Sequence, residues 1–116
     1  MAKHNKLGKD GELIAFMVLQ RDGFSILETN WKFRKAEIDI IAKKDGFLIF
    51  IEVKTRSSKK FGKPEDAINK KKISLYKDAA EGYIEQHPSE EEIRFDVMSI
   101  IIGKDKTDIE HIPNAF

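Results

Sequence analysis

Two short runs of mostly apolar, β-branched residues, each carrying one carboxylate at its centre, constrain this chain more than any other feature. They are Ala36-Glu37-Ile38-Asp39-Ile40-Ile41-Ala42 and Phe47-Leu48-Ile49-Phe50-Ile51-Glu52-Val53-Lys54. A charge within such a run is costly to bury without a partner. Between them stands Lys43-Lys44-Asp45-Gly46, and Asp-Gly is a strong signal for a two-residue hairpin turn. If Asp45 and Gly46 are the loop, Lys44 faces Phe47. The register then sets Ala42 opposite Ile49, Ile40 opposite Ile51, and Ile38 opposite Val53 on one apolar face. The other face gathers Glu37, Asp39, Glu52 and Lys54, with Asp39 opposite Glu52 and Glu37 opposite Lys54. Facing Cβ atoms in such a ladder are ~5 Å apart. A slip of one residue would scatter both groupings.

Two carboxylates at that spacing repel, and one should keep a proton unless a cation intervenes. A hard divalent ion suits them, because Mg²⁺ is commonly held by one or two carboxylates with water and phosphate oxygens completing the shell. Lys54 stands two residues from Glu52 and so projects to the same side. There it can orient a metal-bound water or stabilise charge growing on a phosphate. These are the parts of metal-assisted phosphodiester hydrolysis. The same residues also suit a structural ion-pair cluster, and the residues alone leave both readings open.

The arrangement resembles the PD-(D/E)xK nuclease superfamily: an acid near the start, then Asp, then Glu-x-Lys about a dozen residues on. The resemblance is closer still to the YraN-like family of bacterial proteins. It is carried by Gly8-x-x-Gly11-Glu12, Asn30, Glu37-Ile38-Asp39-Ile40-Ile41-Ala42, Ile51-Glu52-Val53-Lys54-Thr55-Arg56, and Phe61-Gly62. It continues through Ala67-Ile68, Lys72, Ala80, Tyr83, Arg94-Phe95-Asp96-Val97 and the closing His111-Ile112-Pro113-Asn114-Ala115-Phe116. Ala36 departs from the family's usual Gly while leaving each charged position intact. The resemblance implies an α/β, restriction-endonuclease-like fold: a mixed sheet flanked by helices. It also implies Mg²⁺ or Mn²⁺ held by Asp39, Glu52 and the Val53 carbonyl, Lys54 as the catalytic lysine, and Glu12 as a further active-site acid. Archaeal Holliday-junction resolvases resemble the same core, which makes branched or flapped DNA the candidate substrate, DNA ahead of RNA. A non-catalytic nucleic-acid-binding module of the same fold is the alternative.

The 116 residues suit one domain, residues 1–116, with a real core. The chain has no cysteine, which excludes disulfides and thiolate metal sites and is compatible with a cytoplasmic home. Leu13 to Leu19 is an apolar run, but Glu12 abuts it and Gln20-Arg21-Asp22 ends it, so it reads neither as a signal peptide nor as a membrane span. The net charge of +1 conceals an asymmetry. Residues 54–77 carry nine cations against Glu65 and Asp66, whereas residues 78–96 carry seven acids against Arg94. The basic segment begins at the acid pair and suits a polyanion. Its candidate phosphate contacts are Lys59, Lys60, Lys63, Lys70, Lys71 and Lys72. The same asymmetry is compatible with self-association, so a homodimer is a second candidate partner.

Periodicity supplies the remaining elements. Glu12, Ala15, Phe16 and Leu19 share a helical face within a helix from about Leu7 to Gln20, closed by Gly23. Phe24 to Phe33 reads as a first strand. Asn69 is a candidate N-cap for a helix whose buried side carries Ile73, Tyr76, Ala80, Tyr83 and Ile84. Pro64 is a candidate helix opener. Ile93 to Ile102 is another strand, and Thr107 to Pro113 a short strand or tail. The expected order is αβββαβ plus that ending. The strand–helix–strand passage requires one parallel pairing in an otherwise antiparallel sheet. Trp31 and Phe33 read as sheet-covering aromatics ahead of base-stacking ones. His4, His87 and His111 lack metal-ligand spacing. Asp96 interrupts an apolar strand and invites a partner such as Arg94.

Overall fold

The computed structural model describes residues 6–58, 62 and 68–116. Lys59, Lys60 and Lys63, together with Phe61 and Pro64, lie outside the described residues. The elements run α1 (Lys6–Arg21), β1 (Ser25–Phe33), β2 (Ala36–Lys44), β3 (Phe47–Arg56), α2 (Lys70–Gln86), β4 (Glu92–Ile102) and β5 (Thr107–Ile112). The expected order is therefore present, and the ending is a true strand. The five strands form one sheet in sequence order. β3 pairs with β4 in parallel, and the other pairings are antiparallel. α2 is the crossover that parallel pairing demands.

Local chemistry sets the boundaries. Asn69 caps α2 by accepting the Lys72 N–H at 2.8 Å. Gly23, with φ of +92°, ends α1 where an L-side chain would be strained. Asp45 and Gly46 both have positive φ, as a type I′ hairpin turn requires. That turn fixes the predicted register from Lys44↔Phe47 through Ile40↔Ile51.

The ladder does not extend to the pairs expected beyond Ile40. The Asp39 carboxylate accepts the Val53 N–H at 2.8 Å, so a side chain takes the place of a main-chain partner. Alternation also breaks there. Ile40, Ala42 and Val53 pack beneath α1, whereas Ile38 packs with Ile41 beneath α2. The expected pairing of Ile38 with Val53 on one apolar face is thus corrected, as is the pairing of Glu37 with Lys54. On the β1 side, Thr29↔Ile40 and Trp31↔Ile38 are partners, leaving Asn30 and Asp39 between them, with Asn30 at φ +52°.

Both faces of the sheet are covered. α1 seats Ala15 and Leu19 on Ile49, Ile51, Met98 and Ile100. α2 seats Tyr76, Ala79, Ala80 and Tyr83 on Ile38, Ile41, Leu48 and Phe50. This explains why β3 reads as a nearly continuous apolar run. Each fully buried side chain of this size contributes about 1.5–3 kcal/mol relative to exposure. Trp31 meets Tyr83 edge-on at 5.2 Å and stacks on Phe33 at 5.8 Å, so these aromatics cover the sheet. α1 lies close against β3 at Gly11, where an added Cβ would come within 1.9 Å of Thr55 Oγ1. The glycine lets the helix approach and places the next residue, Glu12, above the end of the sheet.

Candidate active site

A cleft of about 640 Å³ opens where the break at Asp39 meets the first turns of both helices. Its acids are Glu12 from α1, Glu37 and Asp39 from β2, and Glu52 from β3. Val53 and Lys54 lie beside Glu52. Residues far apart in sequence are brought together here, including Asp39, Glu52, Lys54 and Glu12.

Glu52 is buried, and two groups from α2 hold it. Tyr76 donates its phenol proton to Oε1 at 2.5 Å, and the Lys72 ammonium lies 2.7 Å from Oε2. Residues 72 and 76 are one helical turn apart, so a single face of α2 grips both carboxylate oxygens. Burial, followed by the charges of Glu52 and Asp39, raises the Tyr76 pKa well above the ordinary phenol value. The phenol therefore stays protonated and remains a donor.

Asp39 occupies the complementary position. Burial raises its pKa well above the usual aspartate value, and the Glu52 carboxylate raises it further. Glu12 adds to the same effect, while the Val53 N–H and Lys72 oppose it. The Glu52 carboxylate thus makes Asp39 harder to ionise, and the Lys72 ammonium offsets only part of that effect. Among the described residues no three His, Cys, Asp or Glu side chains form a metal cage. The donor set is the acid pair, and a hard divalent ion takes such a pair with water or backbone oxygens completing its shell.

Lys54 lines the cleft, partly exposed, while its backbone pairs with Ser99 of β4. Lys70 and Lys71 are exposed at the start of α2. Lys72, expected among the surface phosphate contacts, turns inward to Glu52 instead. Three cations of the cleft escaped the sequence reading: Lys32, Arg34 and Lys35, around the β1–β2 turn. Their turn contains no Gly, Asn or Asp to announce it. Tyr76 was expected only as a core residue. Its spacing from Lys72 was the available signal.

Asp96 is fully buried and lies outside the cleft. Arg94 binds it through two hydrogen bonds of 2.9 Å, His111 through one of 2.7 Å, and the Asn114 N–H at 3.0 Å. Phe116 then packs on Phe95 and Tyr76. The cluster anchors the C-terminal residues to the sheet and braces Tyr76 from behind.

The fold and cleft together define a class: a small α/β protein with a five-stranded mixed sheet, two covering helices, and paired acids where β2 and β3 part. The chain belongs to uncharacterised protein family UPF0102, whose family model matches residues 11–100. It is 48% identical over 116 residues to a UPF0102 protein of Flavobacterium psychrophilum, covering all of this chain and 98% of that one. A UPF0102 protein of Christiangramia forsetii is 47% identical over 116 residues, with the same coverage. One from Syntrophomonas wolfei subsp. wolfei is 43% identical over 114 residues, covering 97% of this chain and 99% of its own.

Proposed function

We propose that the cleft is a divalent-cation-dependent phosphodiesterase site acting on nucleic acid, DNA ahead of RNA, with branched or flapped strands as substrates. The observation that carries this reading is the gathering of Asp39, Glu52 and Lys54 in one cleft at a break in the sheet, where Asp39 accepts the Val53 N–H next to Glu52. A purely structural charge cluster gains nothing from placing the Glu52 carboxylate where it makes Asp39 harder to ionise.

Asp39 and Glu52 would hold Mg²⁺ or Mn²⁺, with the Val53 carbonyl as a further oxygen ligand. Once bound, such an ion supplies Lewis-acid polarisation of a phosphate oxygen and a more acidic water. The chain's own residues do the rest. The Val53 N–H orients Asp39, and Tyr76 fixes Glu52. The Lys54 ammonium stabilises negative charge developing on the phosphate. Glu12 keeps the floor of the cleft acidic, which favours a cation there over a second anion.

One observation favours the alternative of a non-catalytic binding module: Lys72 and Tyr76 already engage both oxygens of Glu52. The two readings separate in one experiment. Wild type and Asp39→Ala are incubated with single-stranded, duplex, flap and four-way DNA in Mg²⁺ or Mn²⁺. The enzyme reading expects cleavage of at least one substrate by wild type and none by the variant. Binding in EDTA without cleavage in either metal would replace it with the binding module.

A further inference from the structure

The β1–β2 turn carries a cation cluster that none of the motifs above includes. Phe33 pairs with Ala36, so Arg34 and Lys35 form a two-residue turn, with Lys32 just before it. All three are exposed, and all three line the cleft. Among the described residues none of them makes an ion pair, in contrast to Lys6, Arg21, Lys43, Lys72, Arg94 and Lys106. Their charge is therefore available to a ligand.

The turn is also strained for its residues. Arg34 has φ of +55°, a left-handed conformation that Gly or Asn adopts at far lower cost. Its guanidinium lies 5.0 Å from the centre of the Phe33 ring, which limits where it can point. A strained, positioned cation at the mouth of a cleft is an outlier of the kind that accompanies function.

We infer that Lys32, Arg34 and Lys35 form a phosphate clamp that draws one single strand of nucleic acid across the acid pair. The inference rests on the proposed function of the cleft and adds the form of its substrate. Three features select a single strand. The cleft volume of about 640 Å³ falls within the ~300–1,000 Å³ range of small-ligand clefts, which suits a stretch of one strand and not a duplex. The cations stand at the rim while the acids lie on the floor, so phosphates are held at the edge and repelled from the centre until a cation is present. Among the described residues the one aromatic lining the cleft is Tyr76, whose ring is buried, so contact is with the backbone and base identity matters little.

The test is fluorescence anisotropy in EDTA, with labelled oligothymidylate and a blunt duplex of equal length. The proteins are wild type, the triple variant Lys32→Gln, Arg34→Gln, Lys35→Gln, and the single variant Arg34→Gly. Wild type should prefer the single strand. The triple variant should lose about tenfold or more in single-strand affinity, and its salt slope should flatten by roughly 0.7 for each phosphate contact removed. Arg34→Gly should bind more weakly while melting no lower than wild type, because it removes the charge and relaxes the turn. Unchanged single-strand affinity in the triple variant, or a wild-type preference for blunt duplex, would overturn the clamp and leave the nuclease reading standing. Wild type that binds neither probe would overturn the clamp as well, while the nuclease reading stands or falls on cleavage in Mg²⁺ or Mn²⁺.

Discussion

Lys72 and Glu52, twenty residues apart, meet at 2.7 Å, so the first turn of α2 places a positive charge where the cleft would otherwise hold two close carboxylates. The ammonium behaves as an internal counter-ion for the acid pair.

Lys72→Met keeps the aliphatic stem and deletes that charge. The Lys72 side chain is 37% exposed, so solvent screens much of the interaction, and the cost to apo stability should be no more than about 1 kcal/mol. The same variant should show a larger rise in melting temperature with Mg²⁺ than wild type does, because the competing cation is gone. Differential scanning fluorimetry with and without Mg²⁺ measures both. A smaller metal response in Lys72→Met would show that the lysine assists the ion.

Tyr76→Phe removes a hydrogen bond to a buried carboxylate. Loss of the donor should cost about 1–3 kcal/mol in urea unfolding. An unchanged midpoint would mean that Glu52 turns to another donor.

Lys54→Met should reduce any cleavage by about 10²–10³-fold, the range for losing one electrostatic contact to the transition state. Single-strand affinity should change little beside the effect of the rim triple variant. Equal losses in cleavage and affinity would assign Lys54 to binding.

Asp96 gives the fold a defined acid sensitivity. Burial alone would raise its pKa, but the hydrogen bonds from His111, Arg94 and the Asn114 N–H outweigh that and lower it below the ordinary aspartate value. A carboxyl with a depressed folded-state pKa contributes stability above its unfolded value and loses it as the pH falls through the folded one. Wild type should therefore lose this contribution below about pH 4. Asp96→Asn should be less stable at neutral pH, with the gap narrowing as the pH falls through that window. Urea titrations at several pH values test this. A constant gap would show that the carboxylate's charge is not what matters.

Much of this was readable from the sequence because local signals agreed with the tertiary outcome. Asp45-Gly46 fixed the hairpin register, Asn69 the start of α2, and the apolar run of β3 its burial on both faces. The register failed beyond Ile40 because Asp39 uses its side chain as a backbone acceptor, which no pattern of period two reveals. Lys72 looked like a surface cation for a related reason: its neighbours Lys70 and Lys71 are exposed, and only the turn of the helix separates their directions. Arg34 and Lys35 were invisible because their turn uses residues that do not favour it. The partners of Asp96 come from β4, β5 and the chain end, and only Arg94 was near enough in sequence to suggest itself.

The proposed divalent-cation site at Asp39 and Glu52 is open to isothermal titration of Mn²⁺ into wild type and into the double variant Asp39→Ala, Glu52→Ala. Saturable binding to wild type and none to the double variant is expected, with circular dichroism confirming that both are folded. Equal Mn²⁺ binding by the two proteins would rule the site out.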